Sequence, residues 1–213
     1  MKITGGLRRF LLSAFAAVVC LIYISSCTDD PVGSSTDIIN PTIADFPRSV
    51  GSEWTYRRTD SIAATVTTVT VTIDAVLPSI PEISSTRWLI ADGVVEDTLI
   101  VTVNDDSLTL DGNLQEFFAW TGKFVFPFIV GDSWSGLTSF DTVEVVSSER
   151  TITPVQTFNR AFLIERQLQL PNQLVVWNHW FVPRIGLVRI TYRESFFGPT
   201  ANEVWELTGY RIE

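Results

Sequence analysis

The chain has 213 residues, of which 46% are hydrophobic and 12% aromatic, including seven tryptophans. This composition is sufficient for a buried core and fits one domain or two small ones. A net charge of −9 disfavours a polyanionic partner such as nucleic acid, and two cysteines, Cys20 and Cys27, exclude a disulfide scaffold.

Residues 1–26 have the pattern of a secretory signal peptide. Lys2, Arg8 and Arg9 precede the uncharged run FLLSAFAAVVCLIYI at residues 10–24. As a helix this run would measure about 22 Å, less than the roughly 30 Å of a bilayer core. We therefore expect an N-terminal signal helix, with an uncleaved membrane anchor as the alternative.

The apolar run ends at Ile24-Ser25-Ser26-Cys27, which resembles the lipobox of bacterial lipoproteins. The resemblance implies lipid transfer to the Cys27 thiol, cleavage before Cys27 and acylation of the new N-terminus. Cleavage would remove three cations and no acid, which changes the net charge from −9 to −12. At about 0.8 kcal/mol for each buried methylene, three acyl chains would hold the protein firmly to a membrane.

Residues 27–45 would then comprise the lipidated cysteine and a tether. The sequence after Cys27, TDDPVGSSTDIINPTIAD, is polar and contains proline, glycine and serine, a composition typical of a flexible linker. By resemblance to Gram-negative sorting signals, Thr28 implies the outer membrane rather than inner-membrane retention. Asp29 and Asp30 resemble the acidic signal that sends some lipoproteins to the cell surface, so the domain would face the periplasm or the exterior.

Residues 46–213 are predicted to form a single β domain. In the run TVTTVTVTIDAV at residues 65–76, Val69, Val71 and Ile73 share one face and threonines the other, the alternation of a half-buried strand. Short connections containing aspartate, asparagine and glycine separate such runs and indicate antiparallel neighbours. We expect an all-β antiparallel meander of roughly ten to twelve strands, curled into a barrel, half-barrel or sandwich.

The segment FFAWTGKFVFPFIV at residues 117–130 is apolar on both faces, which predicts a strand buried on both sides. Pro127 cannot donate to a ladder, so it marks a strand edge, a bulge or a break. Core packing is the preferred role for these aromatic side chains, and the lining of an apolar ligand cavity is the alternative.

A motif, F-P-x-x-V-G-x-x-W, occurs twice, as FPRSVGSEW at residues 46–54 and FPFIVGDSW at residues 126–134. Proline stiffens the approach, glycine permits a turn, and tryptophan buries a large ring at the start of a strand. We interpret the motif as architecture rather than as a ligand site, and we expect both indoles to be buried. Its key residues are Pro47, Gly51 and Trp54 in the first copy and Pro127, Gly131 and Trp134 in the second.

Three segments together resemble a broad family of uncharacterised bacterial lipoproteins. FPRSVGSEWTY is similar to the family's opening F-P-L-x-x-G-x-x-W-x-Y, WFVPRIGLV at 180–188 to its W-[FY]-A-P-G-V-G-L-V, and ELTGY at 206–210 to its final strand. The resemblance implies a secreted, lipid-anchored β domain and supplies no catalytic residue. In the second segment, Pro183 and Gly186 match the family, whereas Val182 and Arg184 replace its alanine and glycine.

Assembled catalytic or metal chemistry is not predicted. His179, the single histidine, lies on one strand face with Trp177 and Phe181, and we interpret it as a structural residue among aromatics rather than a catalytic base. A zinc site would need more histidine or cysteine ligands than the chain offers. The acids Asp105, Asp106 and Asp111 are interpreted as solvated turn residues, with Ca²⁺ binding as the alternative.

Two arginines, Arg160 and Arg166, alternate with apolar residues on one apparent strand face, namely Phe158, Phe162, Ile164 and Leu168. We expect an edge strand with a mixed face there, and an anion-lined cavity or buried ion pairs are the alternatives.

These observations favour a non-enzymatic, lipid-anchored envelope lipoprotein whose β domain binds another envelope component or serves a structural role. It would bind the membrane through lipid on Cys27 and would need no cofactor and no metal. One alternative is a carrier or binder of an apolar ligand, such as an acyl chain, within the curled sheet. A second is a glycan or peptide hydrolase that uses a pair of carboxylates.

Overall fold

The structure is a computed structural model, and it describes residues 40–78, 83–112 and 116–213. The expected signal helix, the lipobox residues Ile24 to Ser26, Cys27 and most of the tether lie outside the described residues. Within the described ranges, no helix has the length and hydropathy needed to cross a membrane.

The described residues of the domain form twelve strands and two short 3-10 helices, Ile43–Asp45 and Phe118–Trp120. The strands are β1 Glu53–Asp60, β2 Thr65–Val76, β3 Ile83–Ala91, β4 Glu96–Asn104, β5 Ser107–Asp111, β6 Gly122–Val125, β7 Ser133–Ser135, β8 Asp141–Ile152, β9 Thr157–Leu170, β10 Gln173–Val182, β11 Gly186–Phe196 and β12 Pro199–Arg211.

All twelve strands form one antiparallel sheet in the order β6-β5-β4-β3-β2-β1-β12-β11-β10-β9-β8-β7. The edge strands β6 and β7 are consecutive in sequence, and the Trp134 indole N–H on β7 donates to the Lys123 carbonyl oxygen on β6 at 2.9 Å. The sheet therefore curls into a nearly closed barrel. The prediction of an all-β antiparallel meander of ten to twelve strands is confirmed.

Aromatic side chains fill the interior of the barrel. The inward faces follow the sequence alternation, so that Val69, Val71 and Ile73 are fully buried. Trp88 stacks on Trp54, with ring centroids 5.1 Å apart, and neighbouring rings continue this contact along the interior. The other interior rings in this network include Phe46, Tyr56, Phe117, Trp120, Phe126, Phe128, Phe181 and Trp205.

Residues 117–130 are not a single strand buried on both faces, so that prediction is wrong. The segment forms the 3-10 helix Phe118–Trp120, the four-residue strand β6 and then a turn with a cis peptide bond before Pro127. Phe118 and Pro127 are exposed, whereas the remaining aromatic side chains of this segment are buried in the core. In a 3-10 helix or a turn, the side chains of neighbouring residues can point into the same core. The sequence is then an uninterrupted apolar run, like that of a strand buried on both faces.

The barrel has two distinct ends. The described chain enters at the end where β1 begins, where the Pro41 carbonyl oxygen accepts the Phe128 N–H at 3.2 Å and the Asp45 carbonyl oxygen accepts the Arg184 N–H at 2.7 Å. We call this the entry end. The opposite end, where β1 finishes, carries the turns β1–β2, β3–β4, β7–β8, β9–β10 and β11–β12, and we call it the far end.

Candidate binding surface

The two motif copies make the same turn at the entry end. Gly51 and Gly131 have φ values of +93° and +96°. The Gly51 N–H donates to the Ile73 carbonyl at 2.9 Å, and the Gly131 N–H donates to the Val145 carbonyl at 2.8 Å. In both copies the residue after glycine returns a bond, because its carbonyl accepts the N–H of that same partner at 3.0 Å.

The two motif tryptophans differ in burial. Trp54 is 2% exposed and its indole N–H donates to the Ile185 carbonyl at 2.6 Å. Trp134 is only half-buried, so the expectation that both indoles are buried is wrong for the second copy. The physical reason is topological, since β1 is internal whereas β7 is an edge strand with a neighbour on one side only.

The turn between β10 and β11 holds the first motif copy in place. Arg184 has a φ of +66° and Gly186 a φ of +98°, so an arginine adopts the left-handed conformation where the resembled family has glycine. Pro47 lies over Gly186, where an added Cβ would come within 3.7 Å of the proline ring. Sequence spacing did not reveal this contact, because it joins segments more than 130 residues apart.

His179 lies in the core, on the inward face of β10. It is 1% exposed, its Nε2 is 3.1 Å from the Ala119 carbonyl oxygen, and its ring packs edge-on against Phe124. Burial lowers its pKa to about 4, a shift to which the nearby Arg166 charge contributes and which the contact with Ala119 opposes. The imidazole is therefore neutral at pH 7 and lies away from solvent.

Arg166 forms a buried ion pair with Asp141. Its Nε is 2.7 Å from an Asp141 carboxylate oxygen, and the two residues are 5% and 1% exposed. The guanidinium also lies 4.0 Å from the ring centroid of Trp177. The expectation of an edge strand here is wrong, because β9 pairs with both β8 and β10, while Arg160 is half-exposed and donates to Ser148.

Residues 116–121 lie across the interior at the far end, and inward-facing side chains hold their backbone carbonyls. Arg58 donates to the Glu116 carbonyl at 3.4 Å, and Trp177 to the Phe118 carbonyl at 3.2 Å. Arg166 donates to the Thr121 carbonyl at 3.0 Å. Arg58 is in turn fixed by an ion pair with Glu203 at 2.7 Å, so the far end is filled by a paired polar layer.

The candidate calcium ligands do not form a cluster. Asp105 and Asp106 lie in the β4–β5 turn at the entry end, whereas Asp111 ends β5 at the far end. All three are exposed. Within the described ranges, the acidic, histidine and cysteine side chains form no group of three that could hold a metal ion.

Exposed aromatic residues are concentrated at the far end. Within the described ranges, the exposed phenylalanines occur on the segment that closes this end and on two of its turns. They are Phe118, Phe140, Phe196 and Phe197. The aliphatic residues Ile62 and Val94 are exposed on two further turns at this end. Exposed apolar residues at the entry end, such as Val76 and Ile152, are aliphatic.

The β11–β12 turn carries the most exposed of these phenylalanines. Phe197 is 82% exposed and has a φ of +53°, and its ring packs edge-on against Phe196 with centroids 4.7 Å apart. The Phe196 N–H donates to the Gly198 carbonyl at 2.8 Å, which closes the turn. Nothing in the sequence pattern indicated that these two phenylalanines would be exposed side by side.

A groove of about 320 Å³ lies beside this turn, open to solvent along one side. Its apolar walls come from Leu174 and Val176 of β10 and from Pro199 and Ala201 of β12. The exposed Arg193 of β11 lies between these walls. The far end therefore combines protruding aromatic rings with an apolar recess and a cation.

No family model and no curated protein matches the chain. Two crystal structures are similar to it, each over 80% of this chain and 99% of the other, with a TM-score of 0.49. One is a provisionally assigned lipoprotein from Parabacteroides distasonis ATCC 8503, at 13% identity. The other is a provisionally assigned exported protein with a YmcC-like fold from Bacteroides fragilis NCTC 9343, at 15% identity. Similarities at this level assign no activity, ligand or partner to the chain.

Proposed function

We propose that this protein is a lipid-anchored lipoprotein of the bacterial cell envelope, a non-enzymatic binding domain that contacts another envelope protein through its far end. The observation that carries the proposal is the position of the exposed phenylalanines, opposite to the end where the chain enters. Exposed aromatic rings gathered at one end of a domain favour a contact surface there, because aromatic residues that become buried on binding dominate the energetics of many protein interfaces.

The lipobox and the entry point together support one orientation of the domain relative to the membrane. Twelve residues, 28–39, separate Cys27 from the described chain and span at most about 40 Å when extended. A lipid on Cys27 would therefore hold the entry end nearer to the bilayer. The far end would be left accessible to a partner in the periplasm or outside the cell.

The outer membrane is the proposed location, because Thr28 rather than aspartate follows the lipidated cysteine. Asp29 and Asp30 favour display on the cell surface over the periplasmic face. Both parts of this proposal depend on resemblance to known sorting signals.

The two alternative functions receive less support from the geometry. An acyl chain within the sheet would have to displace rings that contact one another, such as Trp54 and Trp88 or Phe126 and Phe128. A hydrolase that uses His179 would need substrate to reach a side chain that is 1% exposed and packed against Phe124.

Metabolic labelling with palmitate tests the anchor. We expect wild-type protein to incorporate the label and the Cys27→Ala variant to lose it and to leave the membrane fraction. Equal labelling of the two proteins would contradict the assignment of the lipid to Cys27. A Cys20→Ala variant is the matched control, since it should label as strongly as wild type.

Photo-cross-linking in cells tests the contact surface. A photoreactive phenylalanine analogue at position 140 or 197 should yield an adduct with one protein species at both positions. The same analogue at Val76 or Ile152, which are 68% and 61% exposed at the entry end, should not give that adduct. Identical adducts from both ends, or no protein adduct from the far end, would overturn the proposed contact.

A further inference from the structure

We infer that the β11–β12 turn and its groove bind an apolar segment of a partner protein that carries a carboxylate, with Arg193 as the counterion. This inference rests on the proposed function and specifies the chemistry of its contact. Three observations favour a protein segment as the occupant: the conformation of Phe197, the shape of the groove, and the charge of Arg193, which pairs with no described residue.

Phe197 combines two unfavourable local features. Its φ of +53° lies in the left-handed region, which bulky side chains rarely adopt, and glycine or asparagine would fill the position at lower cost. Its ring is 82% exposed, so the strain is not offset by burial in the core. A residue that lowers local stability in two ways indicates a role outside the fold, and a ring that inserts into a partner is such a role.

The groove beside Phe197 has the shape of a docking site for a protein segment. Small-molecule sites typically bury roughly 70–90% of the surface of their ligand, whereas this groove of about 320 Å³ is open along one side. A protein segment can cover an open groove with its own surface while it places one or two apolar side chains between Leu174 and Pro199. The rings of Phe196 and Phe197 would then pack against the same segment.

Arg193 supplies the charge selectivity. It is exposed in the groove and forms no ion pair with any described residue, unlike Arg57, which pairs with Glu206 at 2.5 Å. The neighbouring Glu194 is already engaged, because Gln173 and Tyr192 donate to its carboxylate. A guanidinium beside an apolar recess favours an incoming carboxylate, which it can bind through two parallel hydrogen bonds.

Two other occupants fit the charges less well. An anionic bilayer surface would approach Glu96, Asp111 and Glu116, which are exposed at the same end. A second copy docked symmetrically on the groove would bring one Arg193 close to the other, since a two-fold contact places the same patch on both sides. An acidic, apolar protein segment avoids both repulsions.

The test uses the full-length lipoprotein in nanodiscs made of zwitterionic lipid. It is offered three libraries of capped heptapeptides with random apolar residues around a fixed central Glu, Gln or Lys. Bound peptides are identified by mass spectrometry. We expect enrichment of the Glu library over the Gln and Lys libraries by about two- to fivefold, the range measured for exposed ion pairs.

Variants assign the binding to the groove. Arg193→Glu should reverse the preference towards the Lys library, and Arg211→Glu at the entry end should leave it unchanged. Phe197→Asn should reduce total enrichment by roughly tenfold or more, as expected of a central aromatic contact residue. Because asparagine tolerates a positive φ, this variant keeps the turn, so a loss of binding cannot be attributed to unfolding.

Several results would overturn the inference. Equal enrichment of the three libraries, no enrichment at all, or a preference unaffected by Arg193→Glu would each remove the carboxylate contact. Self-association of the nanodisc-held protein that Phe197→Asn abolishes would assign the groove to a second copy. Binding to empty vesicles that depends on Phe197 would assign it to lipid. If far-end cross-links persist while the libraries fail, the proposed function stands and this inference falls.

Discussion

Gly51 and Gly131 occupy equivalent positions in two turns eighty residues apart, with φ values of +93° and +96°. Each donates its N–H to a carbonyl of the strand that pairs with the one it precedes, Ile73 on β2 and Val145 on β8. Each turn immediately precedes a series of six strands, β1–β6 or β7–β12, that forms one half of the sheet. The repeated motif is thus a strand-entry turn at the entry end, remote from the candidate binding surface.

Alanine at Gly131 should destabilise the domain through the backbone alone. A Cβ at position 131 meets no atom within 4 Å, so the expected loss of about 1–2 kcal/mol for Gly131→Ala comes from its positive φ. Urea unfolding followed by tryptophan fluorescence measures this loss. Gly209→Ala is the control, because position 209 lacks a positive φ and is equally open. An equal loss in both variants would contradict the proposed cause.

The two motif tryptophans should contribute unequally to stability. Trp54→Ala removes a fully buried indole and its 2.6 Å hydrogen bond to Ile185, and should lower the free energy of unfolding by about 3–5 kcal/mol. Trp134→Ala removes a half-buried indole on an edge strand and should cost clearly less. Parallel denaturant titrations compare the two variants, and equal losses would show that the edge strand is as well packed as the internal one.

The strands were predictable from sequence, because alternating apolar and polar residues indicate directly which face of a strand is buried. Val69, Val71 and Ile73 alternate with threonines, and all three point into the core. The two-sided apolar run at 117–130 was misread, because the same letters fit a doubly buried strand and a 3-10 helix followed by a turn. An alternating apolar and polar pattern indicates the buried face of a strand, and a 3-10 helix does not produce this pattern.

The candidate surface was harder to predict than the fold. Phenylalanine is a residue type that is usually buried, so the sequence does not indicate that Phe196 and Phe197 are exposed. Their exposure depends on a turn conformation that phenylalanine rarely adopts. Arg166 was placed on an edge strand because sequence gives no strand order, and its partner Asp141 lies 25 residues away. A local turn conformation decided the first outcome and long-range strand pairing decided the second, and a single sequence carries no direct signal for either.

Removing the Asp141 carboxylate should be strongly destabilising at neutral pH. Asp141→Asn leaves the Arg166 guanidinium buried without its counterion, which typically costs about 3–5 kcal/mol. The exposed pair of Arg87 and Asp74 provides the control, so Asp74→Asn should change stability little. Similar losses in the two variants would mean that the burial of the first pair does not matter.

The same carboxylate predicts a response to acid. Burial alone would raise the pKa of Asp141, but hydrogen bonds from Thr138 and the charge of Arg166 lower it below its ordinary value. A carboxylate with a lowered folded-state pKa stabilises the protein above the unfolded-state pKa of about 4, and this contribution disappears as the pH falls through the folded-state value. Unfolding free energies measured from pH 5 downward should therefore fall more steeply for wild type than for Asp141→Asn.

His179 predicts a separate response at milder pH. Its folded-state pKa is about 4 because burial disfavours the imidazolium, whereas the unfolded chain binds the proton near pH 6.5. Between these values the unfolded state holds more protons, so stability falls as the pH is lowered, by about 2 kcal/mol from pH 7.5 to pH 5. His179→Phe removes the titration and keeps an aromatic ring against Phe124. Denaturant unfolding at the two pH values should show a smaller difference for this variant than for wild type. The same difference in both proteins would mean that His179 protonates as readily in the folded chain as in the unfolded one.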